Sequence, residues 1–372
     1  MNFKLVFKMT GFTMMLEAIL MTLPLVVALI YHEKSGIYFL PVMASVFLIG
    51  FLLHRLKSKR EDMYAADGFA IVSFSWAILS LTGALPFYLS GQIPSFIDSF
   101  FETVSGFTTT GASVLSDVEA LDQCMLFWRS FTHFIGGMGV LVFVLAIAKF
   151  SGGQSLHILR AESPGPTVEK IFPRMNSTAK MLYIIYICLT MIQVILLCIF
   201  GMPFFDALLT SFGTAGTGGF AIKNAGIGAY SSACQTIITI FMFLFGMNFN
   251  FYFLLLVRKF KQAFLEEIRW YFIIFTSAAI IITINISQYF ENIWEALHHA
   301  TFQTASIMSS TGFATADFNT WPGLSRYILI LLMFIGACAG STGGGFKVSR
   351  LIILLKSYLS EITGLVYSGS VQ

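Results

Sequence analysis

Long apolar stretches alternate with short polar connections along the whole chain. A helix of about 20 apolar residues is long enough to cross the hydrocarbon core of a bilayer. The pattern therefore predicts an all-α, polytopic membrane protein. Its expected spans are residues 10–31, 37–54, 67–90, 124–148, 180–201, 231–257, 270–288 and 325–336, the last continuing at 348–358.

Three of the connections share a second pattern. Each contains a moderately apolar segment, too short to cross and return, that ends in glycine, threonine and serine. The segments are 96–108, 203–216 and 292–309, and their ends read SGFTTTGAS from Ser105, TAGTGGFAI from Thr214 and SSTGFATAD from Ser309. Non-helical backbone is tolerated at membrane depth only where it is buried in protein or lines water. We therefore expect three re-entrant half-helices, each followed by extended backbone that lines a pore.

The three glycine-rich ends align on Gly111, Gly219 and Gly312, which are 108 and 93 residues apart. One such end reads equally well as an ordinary turn, but three aligned copies are typical of internal duplication. The period predicts a pseudo-symmetric pore built from repeated units of span, half-helix, polar loop and span. The expected parts are an N-terminal hairpin at 1–62 and pore repeats at 63–150, 175–262 and 265–360, the third with a broken second span.

Composition narrows the class of protein. The 372 residues are 56% hydrophobic and only 11% charged, with a net charge of +3. This excludes an ordinary soluble domain, and so small and dispersed a charge argues against a nucleic-acid partner. The five cysteines have neither paired nor metal-ligand spacing. No nucleophile, base and orienting group occur together, so we expect neither an enzyme nor a bound cofactor.

Basic residues predict the orientation of the chain in the membrane. They cluster in alternate connections, and the connections that carry them face the cytoplasm under the positive-inside rule. This places the N-terminus in the cytoplasm and the half-helices on the outer side. The clusters are Arg55, Lys57, Lys59 and Arg60; Lys149, Arg160, Lys170, Arg174 and Lys180; and Arg258, Lys259, Lys261 and Arg269.

A fourth glycine-rich segment, GACAGSTGGGFKVSR from Gly336, interrupts the last apolar stretch. A phosphate-binding loop is excluded because Phe346 separates the last glycine from Lys347 and no strand precedes the segment. Two interpretations remain. The segment is either a cluster of small residues that lets membrane helices approach closely, or a flexible gate loop. Ser341, Thr342 and the three glycines make it more polar and more flexible than packing alone requires.

Ionisable residues in apolar spans are usually paired or functional. Glu17 falls in the N-terminal hairpin, where packing or interfacial pairing is expected. Glu102 either adds negative potential near the first glycine-rich end or satisfies a local hydrogen bond. Arg129 and His133, one helical turn apart, are expected to pair with polar partners rather than contact an ion.

Several further motifs occur in a fixed order: ALPFYLSG from Ala84, FFETVSGFTTTGAS from Phe100, WRSFTHFIGGMG from Trp128, LRAESPGP from Leu159 and AGSTGGGFKVSR from Ala339. Together they resemble the membrane subunits of the Trk/Ktr/HKT superfamily of potassium transporters, the bacterial TrkH family most of all. The resemblance implies potassium uptake across the bacterial inner membrane, driven by the membrane potential and, where coupled, by symport of a second ion. Potassium would be the substrate, with no cofactor in this chain.

The resemblance also implies the site. Backbone carbonyls would replace the water around potassium, because they bind the ion without a formal negative charge. Gly218 stands where the other repeats have Thr110 and Thr311, which predicts a less rigid and less uniform filter there. The implied potassium-binding residues are Thr108, Thr109, Thr110, Gly111, Gly216, Thr217, Gly218, Gly219, Ser309, Ser310, Thr311 and Gly312. The implied gate loop is 336–347, with Gly340, Ser341, Thr342, Gly343, Gly344, Gly345 and Lys347.

The implied partners are the lipid bilayer, a second copy in a homodimer, and a cytosolic nucleotide-binding regulatory subunit of the TrkA or KtrA kind. The superfamily has four repeats, whereas three are recognisable before Gln372. An alternative therefore stays open, in which the chain is a non-conducting fragment or scaffold that needs a fourth repeat from another chain.

Overall fold

The computed structural model describes residues 2–56, 65–137, 139 and 175–368, and no strand occurs in them. The all-α prediction is confirmed. The expected span at 124–148 beyond Gly137, the segment LRAESPGP, and the basic residues predicted at 57–60 and 149–174 lie outside the described residues. The helices are α1 Phe3–Leu20, α2 Thr22–Tyr31, α3 Phe39–His54, α4 Ala65–Leu89, α5 Phe96–Phe107, α6 Gln123–Gly137, α7 Met175–Ile199, α8 Phe204–Ala215, α9 Ser232–Phe245, α10 Phe249–Leu256, α11 Phe260–Ala263, α12 Glu266–Ile286, α13 Ile293–Met308, α14 Gly323–Ile335 and α15 Val348–Ser368.

The described ranges contain five helices or joined helices that are long and apolar enough to cross a membrane. Large apolar side chains stand on their outer surfaces, as at Leu29, Ile199 and Ile284, which expose 68%, 69% and 65% of their area. So much apolar surface is unfavourable in water and is matched by lipid. The five are Phe3–Tyr31, Lys34–His54, Asp67–Leu89, Lys180–Ile199 and Glu266–Tyr289.

The apolar span expected at 231–257 is not one helix but two, α9 and α10, which meet at 90°. At the break, a side chain on Gly246 would lie 2.3 Å from the Tyr271 hydroxyl oxygen. The side chain of Asn248 then caps α10 by accepting the N–H of Asn250 at 2.9 Å. Hydropathy could not predict the bend, because its causes are a glycine contact and a cap within an apolar run.

The chain packs as two compact units, Met1–Ile238 with Thr311–Phe313, and Thr239–Ser310 with Ala314–Gln372. The third glycine-rich end therefore contributes Thr311 and Gly312 to the first unit. The four predicted parts of the chain follow the sequence period rather than this division, and their boundaries stay a prediction.

The core of the first unit places the half-helix α5 against α6. Trp128 on α6 is fully buried and meets Phe39 and Phe107 edge-on, with ring centroids 6.2 and 6.1 Å apart. Its indole N–H donates to the carbonyl oxygen of Gly83 at 3.0 Å. Because the indole contacts two aromatic rings and its N–H is hydrogen-bonded, the end of α5 is held in one position.

The core of the second unit forms around α12. Its Tyr271 is fully buried and donates its hydroxyl proton to the carbonyl oxygen of Phe243 at 3.2 Å. The ring of Phe243 lies 4.7 Å from that of Tyr271 and 4.6 Å from that of Phe275. These contacts attach the end of α9 to α12, beside the break before α10.

Candidate ion-conduction site

The three half-helices begin in ways that their sequences dictate. Ser95 caps α5 by accepting the Asp98 N–H at 3.3 Å, and Asn292 caps α13 by accepting the Glu295 N–H at 2.9 Å. Pro203 precedes α8, where the first N–H needs no partner inside the helix. Helices α5 and α8 have 12 residues and α13 has 16.

The three half-helices also end alike. In each, the residue after the C-cap adopts the left-handed conformation, which usually requires glycine and costs other residues about 1–2 kcal/mol. Its N–H donates to the carbonyl three residues earlier at 3.0 Å in all three repeats. The residues are Thr109, Thr217 and Ser310, with φ of 54°, 51° and 60°. Sequence reasoning missed this strain, because threonine and serine give no sign of a left-handed backbone.

Two residues further on, Gly111, Gly219 and Gly312 have φ of 74°, 76° and 87°. Neighbouring repeats meet at these glycines. A side chain on Gly111 would lie 1.8 Å from the carbonyl oxygen of Gly218, and one on Gly219 would lie 1.9 Å from that of Thr311. The carbonyl before Gly219 thus approaches Gly111, and the carbonyl before Gly312 approaches Gly219. A side chain on Gly312 would meet no described atom within 4 Å.

An ion pair buried in the first unit connects the chain just past Gly111 to the chain just past Gly219. The Arg129 Nε donates to the Glu102 carboxylate at 2.6 Å, and the two side chains expose 2% and 0% of their area. A second nitrogen of Arg129 donates to the carbonyl oxygen of Ala221, two residues past Gly219, at 2.9 Å. Glu102 also accepts the Ser113 hydroxyl at 2.9 Å and the Val114 N–H at 3.2 Å. Glu102 therefore satisfies local hydrogen bonds, and Arg129 has the polar partners expected of it.

In the part of the chain that the structure describes, His133 does not have the polar partner that the sequence predicts. It is fully buried, yet neither ring nitrogen has a hydrogen-bond partner among the described residues. Its ring lies 4.0 Å from that of Phe220, and a side chain on Gly218 would lie 2.0 Å from its Nδ1. In place of a polar partner, the ring lies against the Phe220 ring and the backbone at Gly218.

In the N-terminal hairpin, Glu17 is also buried, between α1 and α4. One carboxyl oxygen accepts the Thr82 hydroxyl at 2.6 Å. This interhelical hydrogen bond agrees with the packing role expected for Glu17.

Helix α14 ends at Ile335 and α15 begins at Val348, so residues 336–347 form a loop. The loop packs on the break between α9 and α10: the Cys338 N–H donates to the carbonyl of Gly246, and the Phe249 N–H to the carbonyl of Gly340, both at 3.0 Å. It also contacts the third glycine-rich end, where the Gly344 N–H donates to the Ser310 hydroxyl oxygen at 2.6 Å. The loop therefore packs against the bend between α9 and α10, which hydropathy did not predict.

Glu267, near the start of α12, clamps both ends of the loop. One carboxylate oxygen accepts the N–H of Ala339 at 2.7 Å and that of Ser349 at 3.2 Å. Within the loop, Lys347 has a φ of 75° and its ammonium group donates to the carbonyl oxygen of Gly343. Sequence reasoning missed Glu267, whose only signal was its place next to the basic connection before α12.

Polar contacts join the connection that follows α5 to the connection that follows α8. The Asn224 side-chain amide donates to Asp117 at 2.7 Å, and the backbone N–H of Asn224 donates to Glu119 at 3.0 Å.

Within the second repeat, the Tyr230 hydroxyl donates to Asp206 at 3.0 Å. Burial, and then the nearby Asp206 carboxylate, raise the pKa of Tyr230, so the phenol stays a donor.

The fold and these sites define an all-helical, polytopic membrane protein of the ion-transporter class. The sequence matches the family model of TrkH, described as a cation transport protein, over residues 38–367. The chain therefore belongs to the TrkH family, whose members are ion transporters and not enzymes.

Named relatives and a solved structure agree with this assignment. The Trk system potassium uptake protein TrkH of Salmonella typhimurium is 35% identical over 381 residues, with 100% of this chain and 78% of that protein covered. TrkH of Halomonas elongata is 32% identical, with the same shares covered. The crystal structure of the potassium transporter TrkH from Vibrio parahaemolyticus has a TM-score of 0.87 and 30% identity, covering 99% of this chain and 77% of that one.

Proposed function

We propose that this protein takes up potassium across the bacterial inner membrane through a channel-like pore. Relatives that are 32–35% identical over the whole chain are named potassium uptake proteins, which supports potassium as the substrate. Potassium is carried as cargo, and no cofactor takes part in this chain.

The repeated backbone at the three half-helix ends is the observation that carries the proposal. In the first unit, Gly111 and Gly219 each accommodate a carbonyl oxygen of the next repeat, at 1.8 and 1.9 Å from where a side chain would stand. This arrangement leaves no room for a side chain at Gly111 or Gly219 and brings a backbone carbonyl of the next repeat against each of them. Carbonyls so arranged replace the hydration shell of potassium without holding the ion too tightly.

The half-helices add to the attraction for a cation. Each ends immediately before its filter segment, at Phe107, Ala215 and Met308. The C-terminal end of a helix carries a partial negative charge from its unpaired carbonyls. The filter residues are those implied by the resemblance, namely 108–111, 216–219 and 309–312.

We assign the loop 336–347 as a gate. Its contact with Ser310 at the start of the third filter segment and its seat on the α9–α10 break support this role. The clamp by Glu267 and the hydrogen bond from Lys347 to Gly343 keep the loop in its present conformation. Release of these contacts would free the loop and open the ion-conduction pathway.

The regulatory partner follows from the same proposal. The N-terminus and the basic connections face the cytoplasm, as their charge distribution supports. A nucleotide-binding subunit of the TrkA or KtrA kind binds there, and two copies of the membrane chain form a dimer. The family resemblance supports both partners.

Growth of a bacterium that lacks its own potassium uptake systems tests the proposal. We expect the 372-residue chain to rescue growth at sub-millimolar potassium. Gly111→Asp and Gly312→Asp should each abolish rescue, because both place a charge in the filter, one at a crowded glycine and one at an open glycine. Absence of rescue despite confirmed membrane expression would contradict the proposal and favour a fragment that needs a further repeat.

The gate assignment predicts a gain of flux. Glu267→Ala removes the acceptor shared by Ala339 and Ser349, so the loop loses both of its hydrogen bonds to α12 through this carboxylate. We expect basal rubidium flux into proteoliposomes to rise by about threefold or more, since charge-assisted hydrogen bonds are among the stronger ones. The neighbouring Glu266→Ala breaks an exposed ion pair with Lys356 and should leave flux unchanged. Unchanged or lower flux in Glu267→Ala would contradict the gate assignment.

A further inference from the structure

The second filter loop contains two glycines where the other repeats carry side chains. Gly216 aligns with Thr108 and Ser309, and Gly218 aligns with Thr110 and Thr311. Neither glycine has a positive φ, so the backbone does not require glycine at either position. Their presence needs a different physical cause.

The cause is one residue of α6. A side chain on Gly216 would lie 2.2 Å from the carbonyl oxygen of His133. A side chain on Gly218 would lie 2.0 Å from its Nδ1 and 2.3 Å from its Cε1. The imidazole thus occupies the volume that a side chain at 218 would fill, and the backbone of the same residue excludes one at 216.

In the first repeat, the position equivalent to Gly218 is Thr110, whose side chain has a clear role. There the Thr110 hydroxyl lies 2.8 Å from the Thr108 hydroxyl, so two side chains stiffen the filter segment across its left-handed turn. The second repeat has no side chain at either position. The His133 ring lies at this place instead.

His133 is itself supported by the ring of Phe220. Its ring lies 4.0 Å from that of Phe220, and the guanidinium carbon of Arg129 lies 3.5 Å from the centroid of the same ring. Arg129 is fixed by its ion pair with Glu102. Because neither ring nitrogen of His133 has a hydrogen-bond partner among the described residues, the ring supports the loop by contact.

We infer that His133 is a positioning residue of the filter, whose imidazole replaces the side chain missing at Gly218 and holds the second filter segment in the conformation of the other two. This inference rests on the proposed function. It means that the second segment is supported from α6 rather than locally loose, contrary to what its glycines suggest in the sequence.

A reciprocal exchange tests the inference. Gly218→Thr introduces the residue of the other two repeats and should clash with the ring, lowering rubidium uptake by about tenfold or more. His133→Ala should leave uptake measurable but lower the preference for potassium over sodium by about threefold or more, because the segment loses its support. The double variant His133→Ala with Gly218→Thr should return uptake to within about threefold of the unsubstituted chain, since the two changes share one space.

The measurements are radioactive rubidium uptake and the potassium-to-sodium preference in proteoliposomes, with the amount of folded protein determined by size-exclusion chromatography. Gly323→Thr serves as the matched control, because Tyr327, at 3.8 Å, is the only neighbour among the described residues that a side chain there would meet. If the unsubstituted chain transports but Gly218→Thr is tolerated, the inference is overturned. Failure of the double variant to regain activity, or an unchanged ion preference in His133→Ala, also overturns it. An inactive unsubstituted chain would instead count against the proposed function.

Discussion

Replacing Gly219 by alanine is expected to lower potassium uptake by about tenfold or more while the protein still reaches the membrane. The added carbon would lie 1.9 Å from the carbonyl oxygen of Thr311, and φ at this position is 76°. The left-handed backbone alone costs alanine about 1–2 kcal/mol, and the clash must displace a carbonyl that we assign to the filter. Rubidium uptake per folded molecule in proteoliposomes measures the effect.

Gly323→Ala is the matched control, since its side chain stands in nearly open space at the start of α14. We expect its uptake to equal that of the unsubstituted chain. Near-normal uptake and ion preference in Gly219→Ala would show that this carbonyl contact plays no part in conduction.

Removing one member of the Glu102–Arg129 pair is expected to produce the largest loss of stability. Both side chains are buried, and each also makes hydrogen bonds outside the pair. Leaving one buried charge without its partner costs about 3–5 kcal/mol. Glu102→Ala or Arg129→Ala should therefore lower Tm in detergent by roughly 10 °C.

Two comparisons make this expectation specific to the buried pair. Lys356→Ala breaks the exposed pair with Glu266, at 2.5 Å, and should leave Tm within measurement error. The neutral double variant Glu102→Gln with Arg129→Gln should be more stable than Glu102→Ala, because no unpaired charge remains. A Tm for Glu102→Ala equal to that of the Lys356 variant would contradict the role of the pair.

The coarse architecture is predictable from the sequence because it follows from composition. Segments expected at 96–108, 203–216 and 292–309 form helices Phe96–Phe107, Phe204–Ala215 and Ile293–Met308. The polar interruption at 336–347 is the loop between α14 and α15. In each case the signal is local, a run of apolar residues that ends in glycine, serine and threonine.

The contacts that hold the candidate site could not be predicted, because they join residues far apart in the sequence. Arg129 meets the Ala221 carbonyl, and Glu267 binds the N–H groups of Ala339 and Ser349. The reason for glycine at 218 is likewise invisible without the position of His133. A single sequence gives the types of these residues but not their neighbours.

The most direct test of the central claim is the reversal potential of currents through the purified 372-residue chain in a bilayer, with potassium on one side and sodium on the other. A potassium-selective pore predicts a reversal potential close to the potassium equilibrium potential, and Gly219→Ala should remove this current. A current that does not distinguish the two ions, or no current from folded protein, would contradict the account.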